Sequence, residues 1–210
     1  MKETMLINYQ GDMKNVVIPD GIKMIMGEEV AYGTEFEELD QAMWKPFRKG
    51  PFSRNEEIET VTMGDNVTVI GPKAFEHCTN LKSIKLSSSL RYIGLSAFMG
   101  CRSLKELYLP HSLSYVADWA FAYCHFDKVV YDGTLLEADD CIAHYADLFT
   151  DVLVTNDALL NFKNGKYFIE DYNFPGTLEE WKSRYSNHWL NRRARRIHTI
   201  DGKIIENKSF

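Results

Sequence analysis

The residues with the most reactive side chains are cysteines that recur at a fixed spacing. Cys78, Cys101 and Cys124 lie 23 residues apart, and each stands three residues after an Ala-Phe pair. A thiol becomes a nucleophile or a metal ligand only where it is exposed and its neighbours favour the thiolate. A free cysteine is otherwise a small apolar group that is usually buried. The spacing therefore predicts a buried, reduced column, since three thiols in a row cannot all pair as disulfides.

A metal site is the other chemistry that these side chains could support. Cys124 and His125 could be joined by Cys141 and His144, which lie three residues apart on one face of a predicted helix. The repeat spacing already accounts for Cys124, however, and the chain lacks the Cys-x-x-Cys pair common in structural zinc sites. We therefore expect no metal and no cofactor.

Recognised catalytic motifs are missing from the chain. It contains no His-Glu-x-x-His, no phosphate-binding glycine-rich loop, no Gly-x-Ser-x-Gly and no dinucleotide-binding fingerprint. Most of its patterned residues belong to an internal repeat that needs them for packing. We therefore predict that the protein is not an enzyme.

A cluster of arginines stands out from an otherwise acidic chain. The 210 residues carry a formal net charge of -6, which argues against nucleic acid binding by bulk electrostatics. Residues 181–210 nevertheless hold eight Lys/Arg against two Asp/Glu, including Arg192, Arg193, Arg195 and Arg196. At the end of a predicted helix, these cations favour the negative end of the helix dipole. The alternative is an anion patch that binds the acidic body of another copy, which would give a homo-oligomer.

An internal repeat sets the elements that position these residues. Segments that begin at Ile58, Leu81 and Leu104 start 23 residues apart, and a fourth begins at Phe126 after 22. Apolar residues two apart in each segment indicate a short strand with one buried face. A second segment ending in Ile-Gly and an Ala-Phe-x-x-Cys turn complete the coil. A single coil cannot bury its apolar side, so the coils must stack into a solenoid with a parallel sheet.

An earlier coil is interrupted by an insertion. Residues 13–25 match residues 58–70 at an offset of 45, and Phe52 precedes Phe75 by 23. The insertion, near 27–48, contains Thr-Glu-Phe-Glu, which resembles a capping box. Its apolar residues at helical spacing are Phe36, Leu39 and Met43. We expect a short acidic helix attached to the solenoid.

The coils resemble the BspA-like leucine-rich repeats, whose pattern is Leu-x-x-Ile-x-Leu-Pro, then Ile-Gly, then Ala-Phe-x-x-Cys. Residues 93–101 and 104–110 fit this pattern closely, whereas Ser87 stands where proline is usual and Ala117 replaces the glycine. The resemblance covers about residues 12–134 and implies an α/β leucine-rich-repeat solenoid with a parallel strand sheet. Members of this family are mostly bacterial surface or secreted proteins that bind other proteins or host cells, so a protein partner is implied.

The chain shows no targeting or membrane-spanning segment. Its first apolar run, residues 5–7, is too short for the core of a signal peptide, and no stretch approaches the roughly 18 apolar residues of a membrane span. The chain alone therefore predicts a cytoplasmic protein. The family resemblance instead implies the cell surface or secretion, if a leader has been removed.

Two related units follow where the repeat period stops, after Tyr131. Residues 132–135, Asp-Gly-Thr-Leu, recur as Pro-Gly-Thr-Leu at 175–178, which is 43 residues later. Helices predicted over 135–149 and 178–196 follow these motifs, and a strand follows each helix. The second unit also resembles the tail that closes BspA-like arrays.

These units form an expected capping region, because the terminal units of a solenoid must present a polar outer end. We predict the solenoid over residues 1–134, with its acidic helical insertion, and an α+β capping region over 135–210 built of two degenerate strand–helix–strand units. Within that region, Asn164-Gly165 between two apolar runs predicts a hairpin.

The outward side of the predicted sheet is the candidate binding surface, since side chains alternate between core and solvent along a strand. Its candidate residues, in two neighbouring columns, are Thr60, Thr62, Ser83, Lys85, Glu106, Tyr108, Lys128 and Val130. Tyr108 flanked by Val130 has the character of a binding hot spot, while an ordinary solvated sheet face is the alternative. We predict a non-enzymatic protein-binding module. The alternative function is a structural protein that self-assembles through its acidic body and basic C-terminal helix.

Overall fold

The computed structural model describes residues 5–27, 50–134, 137, 152–155, 159–163 and 166–207. The predicted insertion helix with Phe36, Leu39 and Met43 lies outside these residues, as does most of the helix predicted over 135–149. Within the described residues, the chain forms stacked coils followed by a mixed sheet with two short helices.

The coils of the solenoid are built from short strands on two sides. In chain order these strands are β1 (Met5–Leu6), β2 (Asn15–Ile18), β3 (Met24–Ile25), β4 (Thr60–Met63), β5 (Val69–Ile70), β6 (Ser83–Lys85), β7 (Tyr92–Ile93), β8 (Glu106–Leu109), β9 (Tyr115–Val116) and β10 (Lys128–Tyr131). The even-numbered strands form the front of the coils, and the odd-numbered strands form the back. Apart from β6 and β8, neighbouring strands on each side pair in parallel at the offsets that the repeat predicts, which confirms the solenoid.

Side chains on the front strands alternate between the core and the solvent. In β4, Val61 and Met63 are buried while Thr62 is exposed, and β8 repeats the pattern with Leu107 and Leu109 buried. This is the period of two expected for a strand with one buried face. The inward side chains of the front, the back and the corners merge into one core, which continues into the C-terminal strands.

A column of aromatic rings runs through this core at the Ala-Phe corner of the coils. Its members are Phe52, Phe75, Phe98 and Phe121, with successive ring centroids 4.9, 5.2 and 5.3 Å apart and nearly parallel planes. Tyr9 closes one end at 5.5 Å from Phe52, and Phe126 closes the other end with an edge contact to Phe121. The place of Phe52 in this column confirms that the repeat register recovers after the insertion.

The glycine at the corner of the coil is needed because neighbouring coils approach each other closely there. It is not needed for a positive φ angle. A Cβ on Gly94 would lie 2.6 Å from the nitrogen of Pro72 in the preceding coil. The left-handed backbone instead falls two residues later, at Lys73, Ser96 and Trp119, with φ of 54°, 54° and 61°. Gly94 therefore permits the corner because any larger residue would collide with the neighbouring coil.

The front sheet is interrupted between β6 and β8, and we call this interruption the seam. Strands β2, β4 and β6 form one sheet, whereas β8 begins a second sheet. The N–H of Ser83 donates to the carbonyl of Glu59 in the coil before it. The equivalent bond, from Glu106 to Lys82, is missing among the described residues.

The core is slightly more open along the seam. Ile84 and Leu86 are 8% and 9% exposed, against 1% or less for the inward side chains of β4 and β8. Strand β6 ends at Lys85, one repeat position earlier than β4 and β8 do. Ser87, in the position where proline is usual, is buried next to it. The departure from the repeat pattern at Ser87 thus coincides with the point where the front ladder stops.

The sheet that begins at β8 continues through the C-terminal part of the chain. Its further elements are β11 (Val152–Thr155), β12 (Leu159–Lys163), β13 (Lys166–Phe174), the helices α1 (Leu178–Arg184) and α2 (Leu190–Arg193), β14 (Ala194–Thr199) and β15 (Ile204–Glu206). The strand order is β15-β14-β13-β12-β11-β10-β8. Strands β12 and β13 pair antiparallel with Lys163 opposite Lys166, which confirms the hairpin predicted at Asn164-Gly165.

Two parallel strand pairs, β10 with β11 and β13 with β14, follow one another in this sheet. The first strand of each pair leads into a Gly-Thr motif. The Thr177 hydroxyl accepts the N–H of Glu180, whose carboxylate accepts the N–H of Thr177, and the same bonds join Thr134 and Glu137. Such reciprocal capping boxes satisfy N–H groups at the start of a helix. The shared Thr-x-x-Glu spacing supports the proposed duplication of the unit.

The helix predicted over 178–196 is wrong in its C-terminal half. Helix α1 ends at Arg184, α2 is only 4 residues long, and β14 begins at Ala194. Strand β14 pairs in parallel with β13, which places Ala194 opposite Ile169. This pairing buries Ala194 and Ile197, and such tertiary contacts override the local preference for a helix.

Candidate functional site

The front face, defined as the outward side chains of β2, β4, β6, β8 and β10, carries the eight predicted binding residues. Thr62, Ser83, Lys85, Glu106 and Tyr108 are exposed, and Thr60, Lys128 and Val130 are partly exposed. Strand pairing aligns them in two columns within β4 and β6 and within β8 and β10. The structure thus places all eight on one face, and the seam divides them into two groups of four.

Tyr108 is the centre of the contacts on the front face. It is 50% exposed, and its hydroxyl donates to the Glu106 carboxylate at 2.8 Å. The Lys128 ammonium lies 3.5 Å from the hydroxyl oxygen and 5.5 Å from the ring centroid. An ammonium within about 6 Å of an aromatic ring is attracted by the electrons of its face. Two charged neighbours therefore position the Tyr108 ring while half of the residue stays open to solvent.

Positive charge gathers around Tyr108. Lys85 and Lys105 are exposed, and Lys128 is partly exposed. The Lys105 ammonium donates to the His125 carbonyl at 3.2 Å. Lys85 has neither a hydrogen bond nor an ion pair with its side chain among the residues that the structure describes. Glu106 and Asp127 offset part of this charge, so the surroundings of Tyr108 carry a small net positive charge in a chain whose formal net charge is -6.

The charged side chains at the starts of the front strands pair with one another. The Glu59 carboxylate lies 2.8 Å from the Lys82 ammonium and 3.1 Å from that of Lys14. Lys82 and then Lys14, through these hydrogen bonds, lower the pKa of the Glu59 carboxyl. Exposed ion pairs of this kind contribute little stability. They link the strand starts of three successive coils.

The cysteine column is buried in the core, as the repeat predicts. Cys78, Cys101 and Cys124 are free thiols, and none is more than 5% exposed. Burial raises the pKa of the Cys78 thiol to about 12. The thiol of Cys124 and burial raise the pKa of Cys101 well above its usual value. Cys78 and Cys101 therefore lack the accessible thiolate form that nucleophilic chemistry requires, and Cys124 is buried with them.

The arginine cluster is divided between a helix and a strand. Arg192 and Arg193 end α2, whereas Arg195 and Arg196 lie on β14, so the predicted location of all four at a helix end is wrong. The Arg196 guanidinium donates two hydrogen bonds to the Asp171 carboxylate of β13, at 2.7 and 2.9 Å. The pairing of β14 with β13 causes this difference, because it carries these arginines onto the sheet.

Both arginines of β14 have acidic partners within the same sheet. The Glu170 carboxylate accepts hydrogen bonds from Arg195 at 3.0 Å and from Arg196 at 3.1 Å. His198 Nε2 lies 2.6 Å from the Asp171 carboxylate. Arg196 first, and then His198, hold the pKa of Asp171 well below its usual range. The acidic groups that neutralise Arg195 and Arg196 therefore belong to the neighbouring strand, β13, of the same chain.

Sequence reasoning missed two exposed aromatic residues at the corner of the last complete coil. Trp119 and Tyr123 are 54% and 61% exposed, and both have a left-handed backbone. Trp119 follows Lys73 and Ser96 in its repeat column, and all three share this backbone, so the conformation belongs to the repeat. An aromatic residue in a column of polar residues is the sequence signal that identifies this position.

The requirements for a metal site and for a membrane-spanning helix are not met within the described residues. Over its described ranges, the structure contains no group of three or more His, Cys, Asp or Glu side chains that could hold a metal ion. Cys124 lies in the buried column, while Cys141 and His144 lie outside those ranges. No helix in the described part of the chain is long and apolar enough to cross a membrane.

Comparison with known proteins identifies the repeats. No curated protein matches the chain. A solved structure of a leucine-rich cell surface protein from Faecalibacterium prausnitzii is 26% identical, with a TM-score of 0.46, and the match covers 60% of this chain and 28% of that protein. A family model described as a BspA type leucine rich repeat region matches residues 7–127 with 6 copies. Because this match spans more than half of the chain, the chain belongs to the BspA-type leucine-rich repeat family.

Proposed function

We propose that the protein is a non-enzymatic module that binds another protein through its front face. The observation that carries this proposal is the geometry of Tyr108, which is 50% exposed and held by Glu106 and Lys128. Tyrosine is enriched at binding hot spots because it offers a large contact area with a polar tip. A ring that is already positioned loses less conformational entropy when a partner binds.

The scaffold under the front face supports the same role. The inward side chains of the front strands and the aromatic column are buried, so the outward side chains are presented from a packed core. Repeat solenoids use such extended surfaces for binding. The most reactive side chains, the thiols of Cys78, Cys101 and Cys124, are placed in the core and away from this surface.

A random peptide library displayed on phage tests the proposed function. Selection on the wild-type protein should enrich peptides whose affinity falls about tenfold or more for Tyr108→Ala, as expected for a hot-spot residue. Tyr123→Ala is the matched control, because it removes another exposed tyrosine, on the corner and away from the front face. Both variants should melt like the wild type. Peptides that depended on Tyr123 and ignored Tyr108 would show that the front face is the wrong surface.

A further inference from the structure

We infer that the front face receives an acidic, extended segment of its partner protein, with carboxylates placed against Lys85, Lys105 and Lys128. The inference rests on the proposed function and specifies the chemistry of the partner. Its evidence is the charge around Tyr108, the free donors of the lysines and the position of the seam.

The charge around Tyr108 favours an anionic partner. The three lysines come from three successive front strands or strand starts, in a chain whose formal net charge is -6. Their acidic neighbours are Glu106 and Asp127, and the Glu106 carboxylate already accepts the Tyr108 hydroxyl at 2.8 Å. A basic surface on an acidic protein attracts acidic segments and repels basic ones, which sets both specificity and the rate of encounter.

The lysine ammonium groups have donors left for a ligand. Each ammonium has three N–H donors. Lys128 makes one long hydrogen bond, at 3.5 Å to the Tyr108 hydroxyl, and the side chain of Lys85 makes none to the described residues. Carboxylates would form charge-assisted hydrogen bonds with these groups, which are shorter and stronger than neutral ones. The partner's carboxylates would thus complete contacts that the free protein leaves open.

The seam runs along the strands and sets the direction in which an extended segment would lie on the front face. It runs between β6 and β8, with Lys85 on one side and Tyr108 on the other. The N–H of Glu106 makes no bond to β6 in the described structure. The back strands of the same two coils stay paired, with Tyr92 opposite Tyr115, so the seam cannot admit another strand and the segment would bind across the outward side chains. An extended segment along the seam would present every second side chain to the lysines, about 6 to 7 Å apart.

A labelled peptide tests the inference on the full chain. Fluorescence anisotropy with a fluorescein-labelled dodecapeptide of alternating glutamate and serine should show saturable binding that weakens as salt is raised. The Lys85→Glu/Lys128→Glu protein should bind about tenfold more weakly or worse, since two attractions become repulsions. Lys182→Glu/Lys203→Glu is the matched control: it makes the same charge change on exposed residues of the capping region and should leave binding within about twofold.

Three results would overturn the inference. They are the lack of saturable binding, equal affinity for a lysine–serine peptide, and equal loss in the two double variants. The phage selection separates this inference from the proposed function. Tyr108-dependent peptides without acidic residues would refute the acidic partner and leave front-face binding intact, whereas a selection without any Tyr108-dependent peptide would refute front-face binding itself.

Discussion

At the scale of single residues, the cysteine thiols connect successive coils through the backbone. Each thiol donates to a phenylalanine carbonyl of the preceding coil, at 3.1 Å for Cys78 and 3.2 Å for Cys101 and Cys124. Those carbonyls also accept a backbone N–H of their own coil, so the thiol uses the second lone pair of the oxygen. Cysteine thereby combines a small apolar volume with a weak donor in a position where alanine would supply only the volume.

The burial of these thiols leads to the first prediction. Cys78, Cys101 and Cys124 should resist a maleimide reagent in the native protein and react fully after denaturation, because the reagent needs an accessible thiolate. Peptide mapping by mass spectrometry would locate the labels and distinguish these residues from Cys141. Rapid native labelling of all three would contradict the packing of the coils.

A second prediction concerns Asp171, whose pKa is lowered on folding by Arg196 and His198. A carboxylate of this kind stabilises the fold above its unfolded pKa, about 3.9, and this stabilisation is lost as the pH falls towards the lower folded value. Asp171→Asn should therefore melt below the wild type at neutral pH, and the difference should shrink below about pH 4. Melting curves of both proteins across this range provide the measurement.

Asp127→Asn is the control for this experiment, because Asp127 is an exposed carboxylate at the start of β10. It should change the melting temperature little at any pH, as is usual for a surface substitution. A melting difference between Asp171→Asn and the wild type that stayed constant down to low pH would mean that the Asp171 ion pairs do not stabilise the fold.

At the scale of the elements, the aromatic column holds the corners of the coils in register. Phe98 is fully buried and packs between Phe75 and Phe121, with ring centroids 5.2 and 5.3 Å away. Phe98→Ala should lower the free energy of unfolding by about 3–5 kcal/mol, the usual loss for a buried phenylalanine. Tyr123→Ala, at an exposed corner position, should change it by about 0.5 kcal/mol or less. Equal values from denaturant titrations of the two variants would mean that the corner packing is misplaced.

The elements that could be predicted from the sequence are those specified by a period or by adjacent residues. The repeat places Phe75 on Phe98 at an interval of 23 residues and Lys128 beside Glu106 at an interval of 22. Asn164-Gly165 predicts a hairpin from two adjacent residues alone. The end of the last helix could not be predicted in this way, because residues 194–199 pair with a strand more than 20 residues earlier.

The sequence predicted which residues lie on the front face, but it did not predict the contacts between their side chains. The repeat columns place Tyr108 next to Val130 on the outward side. The hydrogen bond to Glu106 and the position of Lys128 over the ring depend on side-chain conformations that a spacing rule does not contain. The seam coincides with Ser87, a departure from the repeat, but a serine in place of proline does not by itself predict a missing bond between two coils.

At the scale of the whole molecule, basic and acidic residues are concentrated in different parts of the chain, and folding brings some of them together as ion pairs. Residues 181–210 are basic and the rest of the chain is acidic. Arg195 and Arg196 are nevertheless paired with Glu170 and Asp171 on the neighbouring strand. Internal pairing of this kind leaves less charge for attraction between copies.

The last prediction follows from this pairing. The mass measured by light scattering should be the same at low and at physiological salt, because exposed charges are screened over about 8–10 Å and the paired arginines offer little net attraction. Arg195→Gln/Arg196→Gln should lower the melting temperature without changing the mass. A dimer that forms at low salt, dissociates at physiological salt and disappears when Arg192, Arg193, Arg195 and Arg196 are replaced by glutamine would instead establish association through the basic cluster.

The two flanks of the insertion rest on the same short stretch of the next coil. A Cβ on Gly71 would lie 2.9 Å from Met26 Cγ, and the N–H of Phe52 donates to the carbonyl of Ala74 at 3.0 Å. Because the following coil fixes both flanks, the entropy of closing the chain between them grows slowly with its length, by about 0.6 kcal/mol for each doubling. The corner between Met26 and Phe52 is therefore a position where the solenoid accommodates an inserted segment. We therefore expect the stacked coils to keep their register when the sequence between residues 27 and 50 is replaced by another of similar length.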